Sequence, residues 1–102
     1  MSTKIVARFK LGRILATPGA LAAFERNNTN GSEYLRRHAS GDWGEILCDE
    51  DSHLNDLSIE DGSRILSAYM LADETKIWII TEATNDDQGN RAATTFLLPE
   101  EY

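Results

Sequence analysis

The chain has 102 residues, 41% of them hydrophobic, with 17 Asp and Glu against 10 Lys and Arg, a formal net charge of -7 and a pI near 4.7. That length closes one core and is too short for two, so residues 1–102 are predicted to form a single domain. The charge argues against a surface built to hold a phosphate backbone, and a single cysteine, Cys48, excludes an intrachain disulfide and offers no zinc-ligand spacing.

The first residues, MSTKIVARFK, lack the unbroken apolar core of a signal peptide, and no apolar run approaches membrane-spanning length. A soluble, cytoplasmic protein is expected. From Lys4 to Ala16, Phe9 and Leu11 alternate with Arg8 and Lys10, which predicts a strand bent or broken at Gly12. Thr17 then Pro18 is a helix N-cap followed by proline in the first turn, and the helix shows Leu21 and Phe24 on one side and ends near Asn27. The run Asn27 to Gly31 is a loop by composition, and Ser32 is a plausible cap for a second short helix through Arg37. His38 to Gly44 ends that helix in a turn. Asp49 or Ser52 can cap a third helix, closed by Gly62, whose apolar residues Leu54, Leu57 and Ile59 are sparse beside the seven acids between Glu45 and Asp61.

Three β-type runs follow: Ile65 to Leu71, Lys76 to Ala83 and Ala92 to Leu98, separated by polar turns too short for a parallel return. They predict an antiparallel meander with Ile77 to Ile80 as its central strand, covered on both sides over its first half. Thr81 and Glu82 turn that strand polar, which marks a place to look for a site. The predicted fold is therefore α+β: an N-terminal strand, two or three helices on one face, and a C-terminal three-stranded antiparallel meander.

The strings LGRILATPGAL (Leu11 to Leu21), YLRRHASGDWG (Tyr34 to Gly44), GSRILSAY (Gly62 to Tyr69), KIWIITEA (Lys76 to Ala83) and TTFLLPEEY (Thr94 to Tyr102) cover most of the chain. Through them it resembles a family of small bacterial proteins carried by plasmids and other mobile or accessory DNA, described as plasmid-related or found beside restriction-modification genes. The resemblance implies a setting and no chemistry. In that family Asp-Arg-Ser directly precedes the paired threonines, whereas here the stretch Asn85 to Ala93 intervenes.

Two groups of residues are candidates for chemistry. In the turn from His38 to Gly44, an imidazole and the Asp42 carboxylate could act as an acid/base pair or hold a ligand, with Trp43 as a stacking surface. The structural alternative has His38 capping a helix, Asp42 binding backbone amides and Trp43 plugging the core. Elsewhere Arg64, Ser67, Tyr69, Thr81, Glu82, Arg91, Thr94 and Thr95 are polar groups on strands. Brought together with His38, they could hold a phosphodiester as in a metal-independent ribonuclease of RelE- or barnase-like layout, with His38, Arg64, Tyr69 and Thr81 as the catalytic set. The alternative has threonines on an exposed sheet face and Arg64 paired with Glu82.

No metal-ligand spacing, phosphate loop or nucleophile elbow is visible, so neither a metal nor a cofactor is expected. The leading expectation is a non-enzymatic protein-interaction module of accessory DNA. A small ribonuclease or toxin-like enzyme is the alternative, and an acidic inhibitor that offers Glu45 to Asp61 to a basic nuclease cleft is a further one.

Overall fold

The computed structural model describes residues 7–102. Along them lie strand β1 (Arg13–Ala16), helices α1 (Pro18–Arg26), α2 (Ser32–Ser40) and α3 (Asp49–Asp61), strands β2 (Ile65–Met70), β3 (Lys76–Thr81) and β4 (Ala93–Leu97), and a 3-10 turn, Pro99–Glu101. The fold is α+β, as the sequence pattern predicts. The predicted N-terminal strand joins the meander, but the sheet is mixed: its order is β1-β4-β3-β2, with β1 parallel to β4 and the other neighbours antiparallel.

β3 is internal, as its apolar run requires. One face of the sheet carries Ile65, Ser67 and Tyr69 of β2, Ile77, Ile79 and Thr81 of β3, and Thr94 and Phe96 of β4, all buried. Ala20, Ala23 and Phe24 of α1 cover the apolar part of that face, Phe24 meeting Phe96 edge-on at 5.2 Å, and Tyr34 and Leu35 of α2 pack beside them. Leu21 does not share that side: it is exposed, and the small Ala20 and Ala23 let α1 approach the sheet closely. On the opposite face Trp78 meets Tyr102 at 5.8 Å, which brings the C-terminal turn across the sheet.

The predicted N-terminal strand is shorter than expected. Only Arg13–Ala16 pairs with β4, while Arg8 to Leu11 lie before it outside the sheet, and Lys4 to Val6 fall outside the described residues. Gly12 supplies the reason: its φ is +66°, and a Cβ there would stand 2.1 Å from the Arg91 carbonyl oxygen. The chain crosses the main chain before β4 where no side chain fits, and pairing starts beyond that point.

The α1 start follows local capping, whereas α3 follows Cys48, whose side chain makes no cap bond, so the predicted Asp49 or Ser52 cap is not formed. Thr17 Oγ1 accepts from the Ala20 amide at 3.2 Å and donates to the Glu101 carboxylate at 2.5 Å, while Glu101 also accepts from the Gly19 amide at 3.1 Å. A carboxylate from the far end of the chain thus sits on the exposed amides of the α1 N-terminus, where the helix dipole favours it. Ser32 is not the cap of α2. Gly31 holds that place with φ +81°, and Asn30 Oδ1 accepts from the Ser32 amide at 3.0 Å. α2 also runs three residues beyond the predicted end, so His38 belongs to its last turn.

α3 lies along the outer edge of β2. Asn55 and Ser58 are buried, whereas Leu54 and Leu57 are 53% and 46% exposed. The Asn55 side chain accepts from the Leu66 amide at 3.1 Å and donates to the Leu66 carbonyl at 2.5 Å. An edge strand leaves such backbone groups unpaired, so a polar side chain is what this position needs.

Candidate functional site

The polar end of the sheet is closed over by α2. His38 is fully buried; its Nδ1 meets Ser67 Oγ, and its Nε2 lies 2.8 Å from Thr81 Oγ1. Thr81 Oγ1 lies 2.7 Å from Thr94 Oγ1, which donates to the Leu11 carbonyl at 2.7 Å. This chain has one consistent proton order. The Leu11 carbonyl only accepts, so Thr94 uses its single proton there and accepts from Thr81. Thr81 in turn accepts from His38 Nε2–H. Burial, helped by the positive charge of Arg91, pushes the His38 pKa down to about 3. The imidazole is then neutral, and its Nδ1 accepts from Ser67.

Aromatic side chains wall this network. Phe9 meets His38 edge-on at 5.3 Å and stacks on Trp43 at 6.1 Å, and Trp43, only 5% exposed, is itself 5.9 Å from the imidazole. Trp43 Nε1 donates to Asp56 of α3 at 3.0 Å, and its carbonyl accepts from the Ala68 amide at 3.0 Å. Asp42 turns away from His38. Its carboxylate takes two hydrogen bonds from Arg37, at 2.7 and 3.2 Å, and one from the Gly44 amide at 3.3 Å, and the Arg37 guanidinium holds its pKa below the usual range. Tyr69, also fully buried, donates to the Asp42 carbonyl at 2.5 Å, and burial raises the pKa of its phenol.

Arg91 is a buried guanidinium that donates to the carbonyls of Ser63 at 2.7 Å, Glu82 at 3.0 Å and Ser58 at 3.1 Å. It joins the end of α3, the start of β2 and the end of β3, and burial lowers its pKa.

The residues expected to form one site are thus divided. His38, Tyr69, Thr81 and Thr94 come to the same face of the sheet, and all four are buried. Arg64 is on the surface, bonded to the Tyr102 hydroxyl and lying 5.4 Å over its ring, so the expected pairing with Glu82 is replaced by one with the C-terminal residue. Glu82 is exposed, and Thr95 is half-buried on the opposite face of the sheet. Trp43 and Asp42 take the places that the structural alternative gives them, core plug and turn acceptor.

A second surface lies on the acidic segment Glu45 to Asp61, which the sequence marks by its charge. Leu47, Asp51, Leu54, Asn55, Leu57, Ser58 and Asp61 line one side of a groove of about 430 Å³, and Ser63, Arg64 and Leu66 line the other. The segment Glu45 to Asp61 has seven acids and no Lys or Arg; the ten acids left elsewhere equal the ten Lys and Arg, so this segment carries a charge equal to the whole net charge of -7. The outward leucines of α3 therefore sit in the most negative part of the molecule. The sequence marks the segment as acidic and sparse in apolar residues, but spacing does not say which side of α3 meets the sheet. The available signal was Asn55 and Ser58, two polar residues one helical turn apart.

Among the described residues no group of three or more His, Cys, Asp or Glu is placed to hold a metal ion, and no helix is long and apolar enough to cross a membrane. Compared with family models, curated proteins and solved structures, the chain matches none.

Proposed function

We propose that the protein is a non-enzymatic interaction module of accessory DNA that binds a protein partner through the outward face of α3. The observation that carries this reading is the orientation of that helix, which buries Asn55 and Ser58 and turns Leu54 and Leu57 to solvent. Leu54 and Leu57 line one groove with Leu47 and Leu66, and apolar residues clustered at the surface in this way mark interaction sites. The link to mobile or accessory DNA rests on the sequence resemblance.

A ribonuclease built on His38, Arg64, Tyr69 and Thr81 needs those groups around one cleft open to substrate. Three of them are buried and bonded to protein groups, and Arg64 is held by Tyr102. The concentration of negative charge on Glu45 to Asp61 favours a second, narrower reading of the same surface: an inhibitor that offers this helix to the basic cleft of a host defence nuclease.

Capture from a host lysate tests the module. Wild type is expected to retain a partner that the Leu54→Ser/Leu57→Ser variant loses, and an identical set of captured proteins would refute the reading. Incubation with cellular RNA tests the enzyme. Cleavage by wild type that His38→Ala and Arg64→Ala both abolish would replace the module with a nuclease.

A further inference from the structure

We infer that the groove between α3 and the start of β2 takes a cationic amphipathic helix from the partner. The inference rests on the proposed role of α3 as the binding face and adds the chemistry of what binds there.

Three features of the groove select this occupant. The first is shape. Asp51, Leu54, Asn55, Ser58 and Asp61 recur every three or four residues along α3, so the lining is one continuous helical stripe. It extends about 15 Å, enough to hold some three turns of a second helix.

The second is the state of the neighbouring strand edge. An extended peptide could bind here by adding a strand to β2, which requires free backbone donors and acceptors. Leu66 has both of its groups taken by the Asn55 side chain, and the Ala68 amide is taken by the Trp43 carbonyl. Gly44 presses so close that a Cβ there would stand 1.8 Å from the Ala68 carbonyl oxygen, leaving no room for another chain. A ligand must therefore dock through side chains, as a helix does in a groove.

The third is charge. Leu47, Leu54, Leu57 and Leu66 give an apolar strip, with Asp51 and Asp61 at its margins and further acids on the same segment. Arg64 is the single cation of the lining, against Asp51 and Asp61, and its guanidinium donates to the Tyr102 hydroxyl. A helix with leucine-like residues on one face and Lys or Arg flanking them satisfies both parts of the surface. An acidic amphipathic helix fails on charge, and a wholly polar one fails on the apolar strip.

Fluorescence anisotropy with labelled synthetic peptides on the full chain provides the test. Three peptides share one Leu and Lys composition: one with leucines at helical spacing, one with strict alternation, and one shuffled. The helical peptide is expected to bind about tenfold tighter than the other two, to lose about tenfold in affinity for Leu54→Ser/Leu57→Ser, and to weaken as salt rises. Both substituted leucines are exposed, so the variant is expected to fold, with an unchanged unfolding temperature as the check. Equal affinity for the three peptides, preference for the alternating one, or undiminished binding to the leucine variant would overturn the inference. Lysate capture separates the two levels. If the leucine variant loses its lysate partner while the peptides bind alike, only the cationic helix falls; if capture is unaffected, the binding face itself falls.

Discussion

The side-chain amide of Asn55 takes the place of a neighbouring strand for Leu66, accepting from its amide at 3.1 Å and donating to its carbonyl at 2.5 Å. One residue of α3 thereby closes the edge of the sheet and fixes which side of the helix faces solvent. Asn55→Ala is expected to lower stability by about 1–3 kcal/mol, since both Leu66 groups lose their partner. Faster hydrogen exchange at the Leu66 amide is the specific readout. Unchanged exchange there would show that the amide does not close the edge in solution.

A second prediction concerns pH. Burial holds His38 neutral down to about 3, against an ordinary value of 6.5. Between those values the unfolded chain binds one proton more than the folded one, so this group makes stability rise with pH across that window and level off above 6.5. The slope is about 1.4 kcal/mol per pH unit. Between about pH 4.5 and 6, above the ordinary carboxylate range, this contribution stands apart from that of Asp42. Urea unfolding across that interval reads it, and His38→Gln should remove the slope. An independent readout is the imidazole 15N spectrum, which should show the Nε2–H tautomer without titration over the same interval. Protonation of His38 in the folded state near its ordinary pKa would contradict the burial.

Thr81 in the buried network and Thr95 on the other face of the sheet should behave differently. Thr81→Val removes the acceptor of His38 and the donor to Thr94 while preserving shape, and is expected to cost about 1–3 kcal/mol. Thr95→Val, on the other face of the sheet and half-buried, should stay within about 0.5 kcal/mol of wild type. Equal effects in thermal unfolding would mean that the buried network does not act as a unit.

Glycine positions separate close approach from backbone strain alone. Gly89 has φ +80° with open space where a Cβ would lie, so Gly89→Ala should cost about 1 kcal/mol for the left-handed backbone. Gly44 has φ +94° and the Ala68 carbonyl 1.8 Å from that position, so Gly44→Ala should cost several times more and disturb the turn that carries Trp43. Equal unfolding midpoints for the two variants would contradict the tight junction of that turn with β2.

Local signals made much of the fold legible. The β-branched runs and their polar turns locate β2, β3 and β4 to within a residue or two, and Thr17 with Pro18 fixes the start of α1. What stayed hidden depends on partners distant in the chain. Ser67 and Thr81 lie 29 and 43 residues from His38, so an imidazole that reads locally as part of a turn becomes a buried hub. Glu101 lies 82 residues from Gly19, and nothing near the C-terminus marks it as a helix cap. The facing of α3 was signalled only by Asn55 and Ser58, whose burial makes sense once the edge of β2 lies beside them. The strings behind the family resemblance fall largely on these contacts: ATPGAL and PEEY meet at the α1 cap, and HASGDWG, SAY and TTF meet at the buried polar cluster. Packing accounts for these strings, and α3 is the proposed binding face.

Hydrogen exchange on the protein alone and loaded with a captured partner tests that conclusion most directly. Added protection should fall along Asp49–Asp61 and the neighbouring Ser63 to Leu66, with the α1 and β1 amides unchanged. Protection centred on β1 or on the loop from Thr84 to Arg91, with α3 unaffected, would contradict it.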